Sequence, residues 1–335
     1  MNYNSVSQNN FKNISIKILV SSNFLFLLVL LTNINLSTKF KFNKKEKDNS
    51  NNNILVKQQT NISFYKYIYS YNNYLINGRI TAFINADNIY IRYIPMFCAS
   101  LLYCDKRNRT DIEIIIDLNK LPEKIEKALD YLRLVYNNSK ILIRYNMYHI
   151  KNRIAYLQNK RMRGDSIRWF IEPEIKNEYV FIGDIDIMYL YENYYDNYLM
   201  DMFNRTSCYS NIVRPNSERL SGVHFSKWYC LYPIIEPKNI NLMMNNEELL
   251  LMRLKELGVK IDYSTTFRPI FGIHMSVNRP TVESQKRNLT WEAIGKKVLW
   301  NKFKQSEIYK NIFPLLDKYI INKIYVLEKY YKYHE

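Results

Sequence analysis

The residues best equipped for chemistry lie in Tyr179-Val180-Phe181-Ile182-Gly183-Asp184-Ile185-Asp186-Ile187-Met188. An apolar run suited to a buried strand ends in two carboxylates spaced two apart, and a second apolar run follows. Two like charges beside buried strands are costly unless something compensates them. A hard divalent cation is the natural compensation, and a diphosphate would complete its oxygen shell. In open α/β sheets ligands bind at the carboxyl ends of the strands, so the position suits the chemistry. The plain alternative is an exposed acidic turn after a strand.

The elements that must position these carboxylates are legible as an alternation of strands and helices. Ile80 to Ala86 is an apolar run fit for a strand, followed by a helix over Tyr90 to Cys104. Asp111 to Ile116 reads as a second strand. Pro122 suits the first residue of a helix to Tyr136, with Ile125, Leu129, Leu132 and Val135 on one face. Lys140 to Arg144 is a third strand, Lys151 to Phe170 a helical region, and Tyr179 to Ile182 a fourth strand. Further on, Asn193 to Phe203 reads as a helix, Arg219 to Phe225 as a strand, and Glu247 to Leu257 as a helix stopped by Gly258. From Trp291 onward the chain is helical, amphipathic and rich in Lys and Tyr. That tail either covers the sheet or lies against a membrane surface. Strands and helices alternating at short spacing predict an α/β fold with a mainly parallel central sheet and a helical C-terminal region.

Several segments in this order resemble glycosyltransferase family 8, the retaining enzymes of GT-A (Rossmann-like nucleotide-diphospho-sugar transferase) fold. Ala86-Asp87-Asn88 with Tyr90 looks like the family's D-x-x-Y element beside the nucleotide, and Ser100-Leu101 like the pair in its next helix. Asp117 to Leu121 is similar to the segment that follows. Arg168, ahead of Asp184, stands near where the family places a donor-holding Arg. Leu220-Ser221-Gly222-Val223 resembles the strand after Asp-x-Asp. Asn246-Glu247-Glu248-Leu249-Leu250 resembles the D-Q-D-x-L-N helix start, and Gly272-Ile273-His274 with Arg279-Pro280 the terminal His and Lys-Pro element. The chain departs from the pattern where Asn-Glu-Glu replaces Asp-Gln-Asp and Arg-Pro replaces Lys-Pro, so the resemblance is to a divergent relative.

The resemblance implies a metal-dependent transfer of a sugar from a nucleotide sugar, a UDP-sugar by preference, to a glycan, glycolipid or glycoprotein. Asp186 and His274 would bind Mn²⁺ or Mg²⁺, and Asp184 would reach the metal or the sugar and ribose hydroxyls. Ala86, Asp87, Tyr90, Arg168, Ser221 and Gly222 would line the donor. Arg168 would help neutralise the diphosphate, a task that suits its planar fork. Glu247 and Glu248 would act as base or organise sugar and acceptor, although Glu at a helix start also simply complements the helix dipole. His224 is a second candidate ligand, or a satisfied core histidine. Phosphatases of the haloacid dehalogenase type also end a strand in Asp-x-Asp. They place Thr or Val where this chain has Met188, and their motif opens the catalytic domain.

Composition bounds these readings. With 335 residues, 47% hydrophobic, and only seven Gly and nine Pro, the chain can bury a sizeable core and is not a disordered or fibrous protein. Its net charge of +17 attracts polyanions, or is merely a Lys-rich surface. No nucleic-acid module accompanies it, so no nucleic acid is expected as partner; a basic membrane-surface or nucleic-acid binder, or a non-catalytic homologue binding nucleotide or carbohydrate, is the alternative. Residues 1–17 read as a tail and 18–36 as a single membrane anchor, with a cleaved signal peptide as the rival. Residues 37–64 read as a polar stem, and 65–335 as the catalytic domain. Lysines flank the anchor on both sides, which leaves its orientation open. Cys208 and Cys230 could pair in an oxidising lumen or remain buried thiols, whereas Cys98 and Cys104 point to different sides of one helix.

Overall fold

Ile80, Ala82 and Ile84 bury into one hydrophobic layer and Phe83 into another, the two-sided burial characteristic of parallel sheets. These residues belong to β1 (Ile80–Ala86), central in a six-stranded sheet of order β3-β2-β1-β4-β7-β6. The structure is a computed structural model and describes residues 78–146, 164–212, 219–234, 246–263, 272–276 and 289–334. Residues 72–335 make one compact unit.

Strands β2 (Thr110–Ile116), β1 and β4 (Tyr179–Ile182) run parallel, as does β3 (Ile141–Arg144) beside β2. β7 (His224–Lys227) lies antiparallel to β4, and β6 (Tyr209–Ser210) antiparallel to β7. The pairing of Ile80 with Tyr179 and Ala82 with Phe181 brings the carboxyl ends of β1 and β4 to the same edge. A separate two-stranded ladder stands beside it, β5 (Ile187–Tyr189) antiparallel to β8 (Gly272–His274).

One face of the sheet is covered by α1 (Ile94–Cys104), α2 (Glu123–Val135) and α3 (Tyr195–Asn204), whose buried residues share one core with the strands. The C-terminal helices α5 (Leu289–Glu292), α6 (Lys297–Lys304), α7 (Glu307–Ile312) and α8 (Lys318–His334) join that core. In α8 the residues Ile320, Ile324, Leu327 and Tyr331, spaced three and four apart, are buried. The amphipathic tail therefore spends its apolar face inside the molecule. The opposite face of the sheet is covered by α4 (Asn246–Glu256) and by a 3₁₀ turn over Gly164–Trp169.

The structure adjusts several sequence expectations. Pro122 precedes α2 rather than opening it, and Ala128 joins the buried face while Val135 is exposed. The helix over 90–104 divides into a 3₁₀ turn at Tyr90–Tyr93 and α1, whose second residue is Pro95. The expected strand over 219–225 is regular only from His224. Its first part runs as irregular backbone that passes close to Asp184 at Gly222. Of the helical region over 151–170, the described part is a 3₁₀ turn; the rest lies outside the described residues. So do the membrane anchor at 18–36, the stem, and Arg279-Pro280. Among the described residues no helix is long and apolar enough to cross a membrane. Cys208 is bonded to Cys230, and Cys98 and Cys104 are free and buried.

Gly272 faces Tyr189 across the β5–β8 ladder, and a Cβ there would fall onto the Met188 carbonyl. Only glycine allows the two backbones this approach. Gly272→Ala is expected to destabilise the protein by about 1–3 kcal/mol through overpacking. Urea unfolding measures this, and a midpoint unchanged from the parent would show that the ladder yields freely.

Candidate functional site

Asp184 and Asp186 occupy the turn that carries the chain from β4 into β5, closed by the Ile187 amide donating to the Asp184 carbonyl at 3.2 Å. β8 returns beside it, and Ile187 pairs with His274. The Met275 amide continues the contact by donating to the Asp186 carbonyl at 2.7 Å. His274 Nε2 stands 3.3 Å from Asp186 Oδ1, and the Ser276 hydroxyl donates to Asp186 Oδ2. One ligand atom each from Asp184, Asp186 and His274 falls within 4.8 Å of the others. Two carboxylate oxygens and an imidazole nitrogen at that spacing fit a Mn²⁺- or Mg²⁺-sized ion and leave room for further oxygens.

The two carboxylates are not alike. The Asp186 side chain is 7% exposed and that of Asp184 39%. Arg168 lies buried beneath the turn, with Nη1 donating to the Gly183 carbonyl at 2.7 Å and Nη2 3.6 Å from Asp184 Oδ1. Gly222 comes so close that a Cβ there would sit 3.3 Å from Asp184 Oδ1. Ser221 is fixed by its amide donating to Asn211 Oδ1 at 3.0 Å. The Leu220 amide donates to the Glu247 carbonyl at 3.3 Å, while Arg219 pairs with the Glu247 carboxylate at 3.5 Å. The segment 219–222 thus joins the start of α4, with Glu247 and Glu248, to the Asp184 side of the turn.

At the end of β1, Ala86 is buried and Asp87 exposed. Asp87 Oδ1 accepts from the amides of Ile89 and Tyr90, both at 2.9 Å, so its carboxylate starts the 3₁₀ turn that presents Tyr90. It is not among the three clustered ligands. His224 is fully buried, its Nδ1 3.1 Å from Asn211 Nδ2, and burial pulls its pKa down to about 3. His224 is thus a core histidine, bonded through Nδ1 only, with its buried Nε2 unpartnered among the described residues.

No protein-family model matches the chain, and no curated protein sequence does. Among solved structures the chain is similar to a mannosyltransferase from Pyrobaculum calidifontis in complex with GDP-Man and Mn²⁺. The TM-score is 0.41 at 11% identity, over 76% of this chain and 73% of that one. It is also similar to the glycosyltransferase GlyE of Streptococcus pneumoniae (TM-score 0.29, 14% identity, 44% of this chain and 33% of that one). A third is the galactosyltransferase LgtC in complex with donor and acceptor sugar analogues (TM-score 0.29, 12% identity, 44% and 57%). All three scores lie below 0.5, so the chemistry proposed below rests on the side chains already described.

Ser276 and Trp169 carry little sequence signal, and Ser100 is marked only through the resemblance of Ser100-Leu101, not for the contact it makes. Ser276 stands two residues after His274, in the turn that follows β8. Ser100 Oγ accepts from the Tyr189 amide at 3.0 Å and ties β5 to α1. Trp169 Nε1 donates to Asn246 Oδ1, joining the turn that carries Arg168 to the start of α4. Nothing in the spacing of Trp169 and Asn246 announces that pair.

Burial alone would lower the His274 pKa, but the hydrogen bond and charge of Asp186 carry it above the ordinary 6.5. Burial alone would likewise raise Asp186, yet the hydrogen bond and charge of His274, with Ser276, hold it below 3.8. The pair therefore stabilises the fold between those ordinary values. That contribution is lost as pH rises through the raised His274 pKa, and as it falls through the lowered Asp186 pKa. A metal ion must displace the imidazole proton. Mn²⁺ affinity is expected to climb as pH rises from 6.5 through the raised His274 pKa, with protons released on binding. Calorimetric titration in buffers of different ionisation heat measures both; affinity independent of pH over that span would remove His274 from the ligand set.

Proposed function

We propose that the chain is a metal-dependent glycosyltransferase of GT-A type, a divergent relative of family 8. It moves a sugar from a nucleotide-sugar donor, a UDP-sugar by preference, to a glycan, glycolipid or glycoprotein acceptor. The observation that supports this most directly is the convergence of Asp184, Asp186 and His274 at the carboxyl edge of a mainly parallel sheet. An acidic pair with one buried member, closed by a histidine from a distant strand, is a costly arrangement for a simple surface turn.

In this reading Asp186 and His274 hold the ion, and Asp184 reaches either the ion or the hydroxyls of sugar and ribose. When bound, the ion stabilises the negative charge that grows on the departing nucleoside diphosphate. Arg168 adds a positive charge under the same turn and fixes the direction of Asp184 through the Gly183 carbonyl. Gly222 leaves space for a sugar against Asp184, since any side chain there would crowd the carboxylate. Glu247 and Glu248 open α4 on that side; in a retaining enzyme they organise sugar and acceptor rather than act as base. Membrane attachment through residues 18–36 completes the proposal.

The test is hydrolysis of a panel of nucleotide sugars by the full chain with Mn²⁺ and with chelator. Turnover of one donor is expected with Mn²⁺ alone, and Asp186→Ala is expected to reduce it at least about a hundredfold. Binding of each donor is measured in parallel, because hydrolysis without acceptor is slow. If no nucleotide sugar is either bound or hydrolysed, with or without metal, the proposal fails.

A further inference from the structure

The C-terminal helix α8 meets the edge of the sheet that carries the site. Tyr319, the second residue of α8, sets its ring edge-on to Tyr93, centroids 6.2 Å apart. Tyr93 in turn stacks with Tyr90 at 5.7 Å. Both belong to the 3₁₀ turn that Asp87 starts at the end of β1. The Arg92 guanidinium lies 5.0 Å from the Tyr319 ring centroid, and its Nε donates to the Ile89 carbonyl at 2.7 Å. Tyr93 itself is buried, but Tyr90 and Tyr319 are each 36% exposed, so two partly open rings flank a buried one.

We propose that Tyr319, with Arg92 above it, forms one wall of the subsite for the nucleobase of the donor. This rests on the reading of the chain as a nucleotide-sugar enzyme and extends it to α8. β1 and β4 end side by side; phosphates held at the Asp184–Asp186 turn leave the nucleoside to extend toward the end of β1. There the chain offers aromatic faces and a planar cation, the chemistry that takes a flat base without demanding its identity. A sugar acceptor would also stack on an aromatic ring. The acceptor, however, must reach the side of the sugar bounded by Gly222 and α4, not the end of β1.

The experiment compares the full chain with Tyr319→Ala and Tyr319→Phe. Calorimetric titration with UDP and with GDP in the presence of Mn²⁺ is set beside titration with inorganic diphosphate, which lacks a base. Tyr319→Ala is expected to weaken the better-bound nucleotide about tenfold while leaving inorganic diphosphate unchanged. Tyr319→Phe, which keeps the ring, is expected to bind nearly as the parent. An equal loss for nucleotide and inorganic diphosphate would show general damage to the site and overturn the assignment. So would unchanged nucleotide binding in Tyr319→Ala, or a defect confined to acceptor KM. If the parent protein binds neither UDP nor GDP, the enzymatic reading falls together with this one. If the parent binds and Tyr319→Ala is silent, only the role of Tyr319 falls.

Discussion

The structure turns on a negative charge that water scarcely reaches. Asp186 sits at the end of a run whose residues are almost all buried, and a carboxylate there costs several kcal/mol unless paired and hydrogen-bonded. The compensation is local and complete. The imidazole of His274 meets one oxygen, the Ser276 hydroxyl the other, and the Met275 amide takes the backbone carbonyl. All three partners come from β8 and the residues just after it. The carboxylate therefore needs that short strand, which among the described residues pairs with β5 alone.

This dependence accounts for the way the C-terminal part is built. A three-residue strand cannot hold itself in place. β8 is clamped by the glycine that lets its backbone press on β5, and by the Lys296 ammonium donating to the Gly272 carbonyl. Burial lowers the pKa of that lysine, so its amine is itself partly desolvated for the sake of the clamp. Behind Lys296 stand α6, α7 and α8, whose apolar faces join the core over α1. Ser100 of α1 then reaches the Tyr189 amide at the other end of β5. Helices that looked from sequence like a cover for the sheet thus also hold the histidine against Asp186.

How much of this was legible in the sequence follows from the range of the interactions. The parallel strands declared themselves because both faces are buried, so Ile80 to Ala86 reads as a mainly apolar run and Asp111 to Ile116 as an isoleucine-rich strand. The Asp184–Asp186 pair was legible for the same reason, since charges at the end of such a run need an explanation. His274 was visible only through a resemblance of motifs, because a lone histidine after Gly-Ile carries no local signal. The contacts that orient the site were not legible. Trp169 to Asn246 spans 77 positions and Ser100 to Tyr189 spans 89, and neither pair shares a pattern. The stretch 219–223 misread as a strand because Leu220 and Val223 are apolar, whereas close passage by Asp184 at Gly222 keeps the backbone from regular pairing.

The charges around the turn also suggest why the two aspartates differ so much in exposure. With His274 protonated, two carboxylates face one imidazolium and the Arg168 guanidinium, and the cluster is neutral. A divalent ion that takes the place of the imidazole proton leaves one positive charge in excess. The site is then electrostatically prepared for a ligand that arrives with negative charge, and little prepared before. Asp186, sunk among Ser276, His274 and the Met275 amide, is held too firmly to follow such a ligand. Asp184, supported from below by Arg168 and open above, would keep the freedom to turn from ion to hydroxyl. In the proposed reading, a rigid ligand and an adjustable one, two residues apart on a single turn, would let the same pair grip a cation and still respond to a sugar beside it.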